Sequence, residues 1–93
     1  MRKIVNLIKP KNGLVRLMIF NDDYGTYLFG YKKLEDHGAD WDEWYQTENY
    51  AMESCEIEFG INKKDWTNIP NAEPNCKHDW INSVRIKTQR QKS

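Results

Sequence analysis

Three side chains suited to covalent or acid–base chemistry lie within four positions of one another: Cys76, His78 and Asp79. A thiol, an imidazole and a carboxylate are the parts of an activated nucleophile with its base and orienting acid. Their spacing favours a structural role, because catalytic partners usually meet from distant parts of a chain. We therefore expect His78 or Asp79 to cap backbone amides and Cys76 to be a small buried hydrophobe. A small enzyme built on these residues is the alternative.

A metal site is the second chemistry that these residue types permit. Thiolate and imidazole ligands for zinc are present at Cys55, Cys76, His37 and His78. No paired CxxC or HxxxH spacing accompanies them, and Cys55 falls on the apolar face of a predicted helix. We expect free thiols, no metal and no cofactor, with a metal-binding domain centred on Cys76, His78 and Asp79 as a further alternative.

Acidic and basic residues balance at 14 each, but they are unevenly distributed. Residues 1–33 sum to +5, residues 34–62 to −9 and residues 63–93 to +4. The acids of the middle block surround one predicted helix and indicate a negative face, which in the simpler interpretation is only a solvated surface. Tryptophan and tyrosine beside such a face are typical anchors of protein interfaces. The candidate partner-binding residues are Trp41, Asp42, Glu43, Trp44, Tyr45 and Glu53.

Aromatic strand residues also permit a stacking platform for single-stranded nucleic acid. The residues concerned are Tyr27, Phe29 and Tyr31, with the basic residues Arg85, Lys87, Arg90 and Lys92. Zero net charge opposes this interpretation, because most nucleic-acid-binding domains carry a strongly basic footprint. A weak nucleic-acid binder is therefore an alternative, and a protein is the expected partner.

The order of predicted elements is βββαβ within one domain of 93 residues. Strands are predicted over residues 4–8, 14–20, 26–32 and 81–87, and residues 34–46 read as a loop whose aromatics close the core. Thr47 caps a predicted helix that runs to Phe59 and ends at Gly60. The expected fold is α+β, an antiparallel sheet of about four strands with one helix across one face. The structured core is expected over about residues 3–88, with a flexible basic tail over residues 89–93.

Two prolines restrain the segment between Trp66 and Trp80, which we expect to be a rigid loop leading into the last strand. The N-terminal residues lack the apolar run of a signal peptide, and no stretch is long and apolar enough to span a bilayer. These features indicate a cytoplasmic protein that does not bind membranes and is a monomer or weak homodimer.

A motif of the form W-x-x-I-P runs from Trp66 to Pro70, followed by Pro74 and by Cys-Lys-His-Asp-Trp-Ile at residues 76–81. Together with residues 40–45, 58–61 and 84–87, it resembles a family of small bacterial single-domain proteins that has no assigned activity. The chain differs from that pattern at Asn75, where glycine is usual, and at residues 72–73. The resemblance implies a single domain and a bacterial cytoplasmic setting, and it implies no mechanism.

These observations favour a non-enzymatic binding or accessory domain of an immunity or regulatory kind. Such a domain would recognise a protein partner through its acidic face and the neighbouring tryptophans.

Overall fold

The computed structural model of the protein describes residues 2–82. Five strands form one antiparallel sheet: β1 (Arg2–Lys11), β2 (Leu14–Asn21), β3 (Thr26–Tyr31), β4 (Trp41–Tyr45) and β5 (Thr67–Ile69). Their spatial order is β4-β3-β2-β1-β5. A helix, α1 (Glu48–Phe59), packs on this sheet, and a 3₁₀ turn (Lys63–Asp65) precedes β5. The predicted α+β class is confirmed, with five strands where the sequence indicated about four.

Local turn chemistry shapes the β1–β2–β3 meander. Asn12 and Gly13 both have positive φ, at 55° and 80°, as a tight two-residue hairpin turn requires. At the next turn the Asp22 carboxylate accepts hydrogen bonds from the backbone N–H groups of Tyr24 and Gly25, at 2.7 and 2.9 Å. Both turns therefore form where the sequence clusters glycine with asparagine or aspartate within a few positions.

Helix α1 begins and ends where the sequence predicts. The Thr47 hydroxyl accepts the Tyr50 N–H at 3.2 Å, and Glu48 supplies negative charge in the first turn. Gly60 ends the helix in the left-handed conformation at φ 70° and donates its N–H to the Glu56 carbonyl. No helix in residues 2–82 has the length and apolar character that a membrane crossing requires.

The core lies between α1 and one side of the sheet, which we call the inner face. Strand residues that alternate along β1, β2 and β3 supply its sheet half, and the helix supplies the other half at every third or fourth position. The fully buried members are Leu17, Ile19, Leu28, Ala51 and Cys55, with Trp41, Tyr45, Phe59 and Trp66 packed around them.

The two differences from the predicted fold concern strands. Residues 41–45 form β4 and pair with β3 from Thr26↔Tyr45 to Gly30↔Trp41, where the sequence indicated a loop. The predicted last strand over residues 81–87 is not seen at Ile81 and Asn82, which lie in a bend, and residues 83–87 lie outside the described residues, as does the predicted tail. The fifth strand is instead β5, three residues that pair with Arg2–Ile4.

Residues 70–82, which contain both prolines of the predicted rigid loop, lie on the opposite side of the sheet, the outer face. We call them the outer segment. The ring of His78 stacks on Phe20 of β2 with centroids 4.2 Å apart. Asn75 has a positive φ of 65°, a conformation that glycine adopts most easily and asparagine next.

Leu17→Ala should lower the free energy of unfolding by about 3 kcal/mol, because Leu17 is 0% exposed and the truncation leaves a cavity under α1. Chemical denaturation would measure the loss. Ile57→Ala is the matched control, since Ile57 is 84% exposed on the helix and should change stability by no more than about 0.5 kcal/mol. Equal effects of the two substitutions would contradict the inner-face packing.

Candidate functional site

A buried arginine fixes the outer segment to the sheet. Arg2, at the start of β1, is 2% exposed and donates to four backbone carbonyls. Its Nε donates to Pro70 at 2.9 Å, Nη1 to His78 at 2.7 Å and to Trp80, and Nη2 to Ile81 at 3.1 Å. Burial lowers the pKa of Arg2 below its ordinary value. The guanidinium therefore donates hydrogen bonds to carbonyl oxygens of the outer segment, because this irregular segment cannot pair them with N–H groups in a sheet.

Further contacts join the outer segment to the end of β3 and to the loop after it. The Tyr31 hydroxyl donates to the carbonyl oxygen of Asp79, and burial raises the pKa of this phenol above its ordinary value. The Asp79 carboxylate accepts the N–H of Ala39 at 2.8 Å. The Asp36 carboxylate accepts the N–H groups of residues 81 and 82, each at 2.8 Å.

In the candidate catalytic group, His78 and Asp79 have separate structural partners and Cys76 is buried. Cys76 is 5% exposed. The His78 ring stacks on Phe20, while the Asp79 carboxylate caps the backbone at residue 39. Asp79 also lines a hollow of about 230 Å³ with residues 29 and 39–42, and neither the thiol nor the imidazole lines that hollow. The partners therefore favour the structural interpretation of this group.

The candidate metal ligands are dispersed over both sides of the sheet. Cys55 is 0% exposed in the inner core, and burial raises the pKa of its thiol to about 12. Cys76 belongs to the outer segment, and His37 lies in the loop before β4. Within residues 2–82, no group of three or more histidine, cysteine, aspartate or glutamate side chains could hold a metal ion.

Strand β4 brings five of the six candidate partner-binding residues to one edge of the sheet. Trp41 and Tyr45 turn inward and pack against the core, whereas Asp42, Glu43 and Trp44 are exposed. The indole of Trp44 is 49% exposed and lies on the backbone of Gly25, where a Cβ atom would collide with it. In this edge strand Trp41 and Glu43 also line a hollow of about 440 Å³, together with side chains of β2 and α1.

Tyr45 links this edge to α1, where the sixth candidate, Glu53, is exposed. The Tyr45 hydroxyl donates to Oε1 of Glu43 at 2.6 Å and lies 2.9 Å from Oγ of Ser54. Burial, followed by the bond to Glu43, raises the pKa of Tyr45 to about 12. The phenol therefore stays neutral and ties the strand to the helix at neutral pH.

The two edges of the sheet differ in their ability to accept another strand. At the β1 edge, β5 covers only Arg2–Ile4. Beyond it, the pairs Asn6↔Arg16 and Lys11↔Leu14 leave residues 7–10 opposite Val15 alone, so β1 bulges outward there. A bulge with proline and lysine is a usual means of blocking strand addition. Strand β4 is regular and lacks both residue types. In the described chain, no strand pairs with the edge of β4 that faces away from β3.

The predicted aromatic platform is present in part. Phe20, Tyr27 and Phe29 form a row on the outer face, with ring centroids 6.3 and 5.9 Å apart along the row. Tyr31, its predicted third member, is buried under the outer segment. The basic residues 85–92 of that hypothesis lie outside the described residues. The outer segment therefore contacts the row at Phe20 through His78 and covers Tyr31 beyond its other end.

Sequence reasoning missed the anchoring role of Arg2 and the hydrogen bonds made by the loop at residues 32–40. Arg2 looked like an ordinary N-terminal charge, because its partners are carbonyls 68 to 79 positions away and leave no local pattern. His37 was considered only as a metal ligand. An available signal was His37 three positions before Asp40, a spacing that brings an imidazole and a carboxylate together in a tight loop.

Arg2→Met should lower the free energy of unfolding by about 3 kcal/mol, because methionine keeps an unbranched stem but leaves four carbonyls without their donor. Thermal and urea denaturation would measure the loss. Arg16→Met is the matched control, since Arg16 bonds only the exposed Asn6 side chain among the described contacts, at 2.8 Å, and should cost under about 1 kcal/mol. A smaller effect at Arg2 than at Arg16 would contradict the anchoring role.

Both thiols should react slowly with a disulfide reagent such as DTNB while the protein is folded, because Cys55 and Cys76 are buried. Stopped-flow absorbance would measure the rate, and the unfolded chain in guanidinium would give the reference. A Cys55→Ala variant isolates Cys76. If Cys76 then reacts in the folded protein as fast as in the unfolded chain, the structural interpretation of this residue is wrong.

No protein-family model, curated protein or solved structure matches this chain. The resemblance to the bacterial family therefore stays a prediction from the motif at residues 66–81.

Proposed function

We propose that this protein is a non-enzymatic binding domain that recognises a protein partner through the edge formed by β4. The observation that carries the proposal is the contrast between the two sheet edges. The β1 edge carries a short covering strand, a bulge, a proline and lysines, whereas β4 is a regular strand with exposed side chains.

The chemistry of β4 specifies the kind of partner. Its exposed carboxylates, Asp42 and Glu43, favour a basic segment, and the α1 residues Glu53 and Glu56 extend the negative charge. A partner in extended conformation could pair with the free edge of β4, away from β3, through backbone hydrogen bonds. Trp44 beside the carboxylates supplies a half-exposed aromatic anchor. We infer an extended basic segment of another protein as the partner.

An immunity or regulatory protein would use such a surface to block or recruit its target, and both roles need binding without chemistry. The cytoplasmic location and the bacterial setting belong to this proposal as expectations from the sequence.

The charge-reversed variant Asp42→Lys/Glu43→Lys should weaken partner binding about tenfold or more, because two attractive contacts become repulsive. The partner would be captured from extracts of the source cells, purified, and titrated by calorimetry at two salt concentrations. Binding to the wild type should weaken as salt rises, since exposed charges are screened.

Glu35→Lys/Glu73→Lys is the control, because it changes the net charge equally at exposed positions outside β4. Amide exchange of residues 41–45 should slow in the complex if the partner pairs with this strand. Equal affinity of the wild type and the β4 variant for every purified partner would refute the proposal.

A further inference from the structure

The loop that joins β3 to β4 closes on itself through His37. Its Nδ1 lies 2.7 Å from the carbonyl oxygen of Glu35, and its Nε2 lies 2.8 Å from Oδ2 of Asp40. Both partners are acceptors, and a neutral imidazole has only one N–H to donate. The two contacts are therefore satisfied together only when His37 is protonated. The same Asp40 oxygen accepts the N–H of Lys32 at 2.7 Å, which ties the two ends of the loop.

The closed loop holds the outer segment at two places. Asp36, next to His37, uses both carboxylate oxygens to accept the N–H groups of Ile81 and Asn82. On the other side of His37, the N–H of Ala39 donates to the Asp79 carboxylate. An opening of the loop around His37 would displace both anchors, since they flank it in sequence by one and two positions.

We propose that residues 32–40 act as a pH-responsive clasp: protonated His37 closes the loop and strengthens its hold on residues 79–82 of the outer face, and neutral His37 weakens that hold. The bonds from Arg2 and Tyr31 to the same segment keep it on the sheet in both states. The clasp does not depend on the partner proposed above, because it is a property of the isolated domain.

Ionisable groups surround His37 from three segments. Tyr31 of β3 meets its ring edge-on, with centroids 5.6 Å apart. The others are Lys32, Lys33, Glu35, Asp36 and Asp40 in the loop, and Asp79 in the outer segment. The hydrogen bond to Asp40, then the one to the Glu35 carbonyl, raises the pKa of His37 above its ordinary value. Burial raises the pKa of Tyr31, so the phenol stays neutral where His37 titrates.

The direction of the pH effect follows from this shift. Because the pKa of His37 is higher in the folded protein, the closed loop is fully favoured below about pH 6.5, the ordinary value for histidine. Its advantage is lost as the pH rises through the raised pKa of the folded protein. Each unit by which that pKa is raised corresponds to about a tenfold loss in the ratio of closed to open loop.

The test is an NMR titration of the full chain between pH 5 and pH 9, with imidazole ¹⁵N shifts read at both histidines. Hydrogen exchange of the Ala39, Ile81 and Asn82 amides would be measured over the same range and corrected for intrinsic exchange. We expect His37 to titrate above about pH 6.5, the ordinary value for histidine, and protection at all three amides to fall by the same factor at the same midpoint.

His37→Gln should abolish the pH dependence of protection, whereas His78→Gln, which changes the only other histidine, should preserve it. The wild-type titration alone tests the clasp if a variant fails to fold, because protection of the three amides must then change at the midpoint of the His37 titration. An unshifted His37 titration would overturn the clasp. So would a protection change confined to residue 39, or a pH effect that persists in His37→Gln.

Discussion

The outer half of the structure depends on one buried cation. A guanidinium taken out of water must have its donors satisfied, and in Arg2 carbonyls of the outer segment meet that need. The requirement is mutual, because a segment containing proline and tight bends cannot pair its own carbonyls in a ladder. The side chain and the segment therefore satisfy each other, and within residues 2–82 the segment covers part of the outer face without a second helix or sheet.

This arrangement explains why the chemically suggestive residues have structural partners. The part of the chain whose backbone Arg2 holds contains Cys76, His78 and Asp79. The stacking of His78 on Phe20 and the bond from Ala39 to the Asp79 carboxylate complete the attachment of this segment. The reactive residue types near the second tryptophan of the motif are used for packing and capping. The exposed carboxylates of β4 lie outside this segment.

The parts of the fold that were predictable from the sequence are those with local causes. Thr47, Gly60 and the Asn12-Gly13 turn each satisfy nearby backbone groups, so their sequence signals are complete within a few residues. Strand β4 was missed because Glu43 lies between Trp41 and Tyr45 on the inward-turned side, which hides the two-residue alternation. The partners of Arg2 were unpredictable for a different reason: they are far away in sequence and are carbonyls, which every residue carries.

The contact between Trp44 and Gly25 gives the exposed indole a property that its solvent exposure alone does not suggest. A half-exposed tryptophan in an edge strand would ordinarily sample several rotamers. Fixing one of them on association costs about 0.5 to 1.5 kcal/mol. Here the ring rests on a backbone position that carries no side chain, so its orientation is already restricted before any encounter. Gly25 thus preorganises the side chain of Trp44.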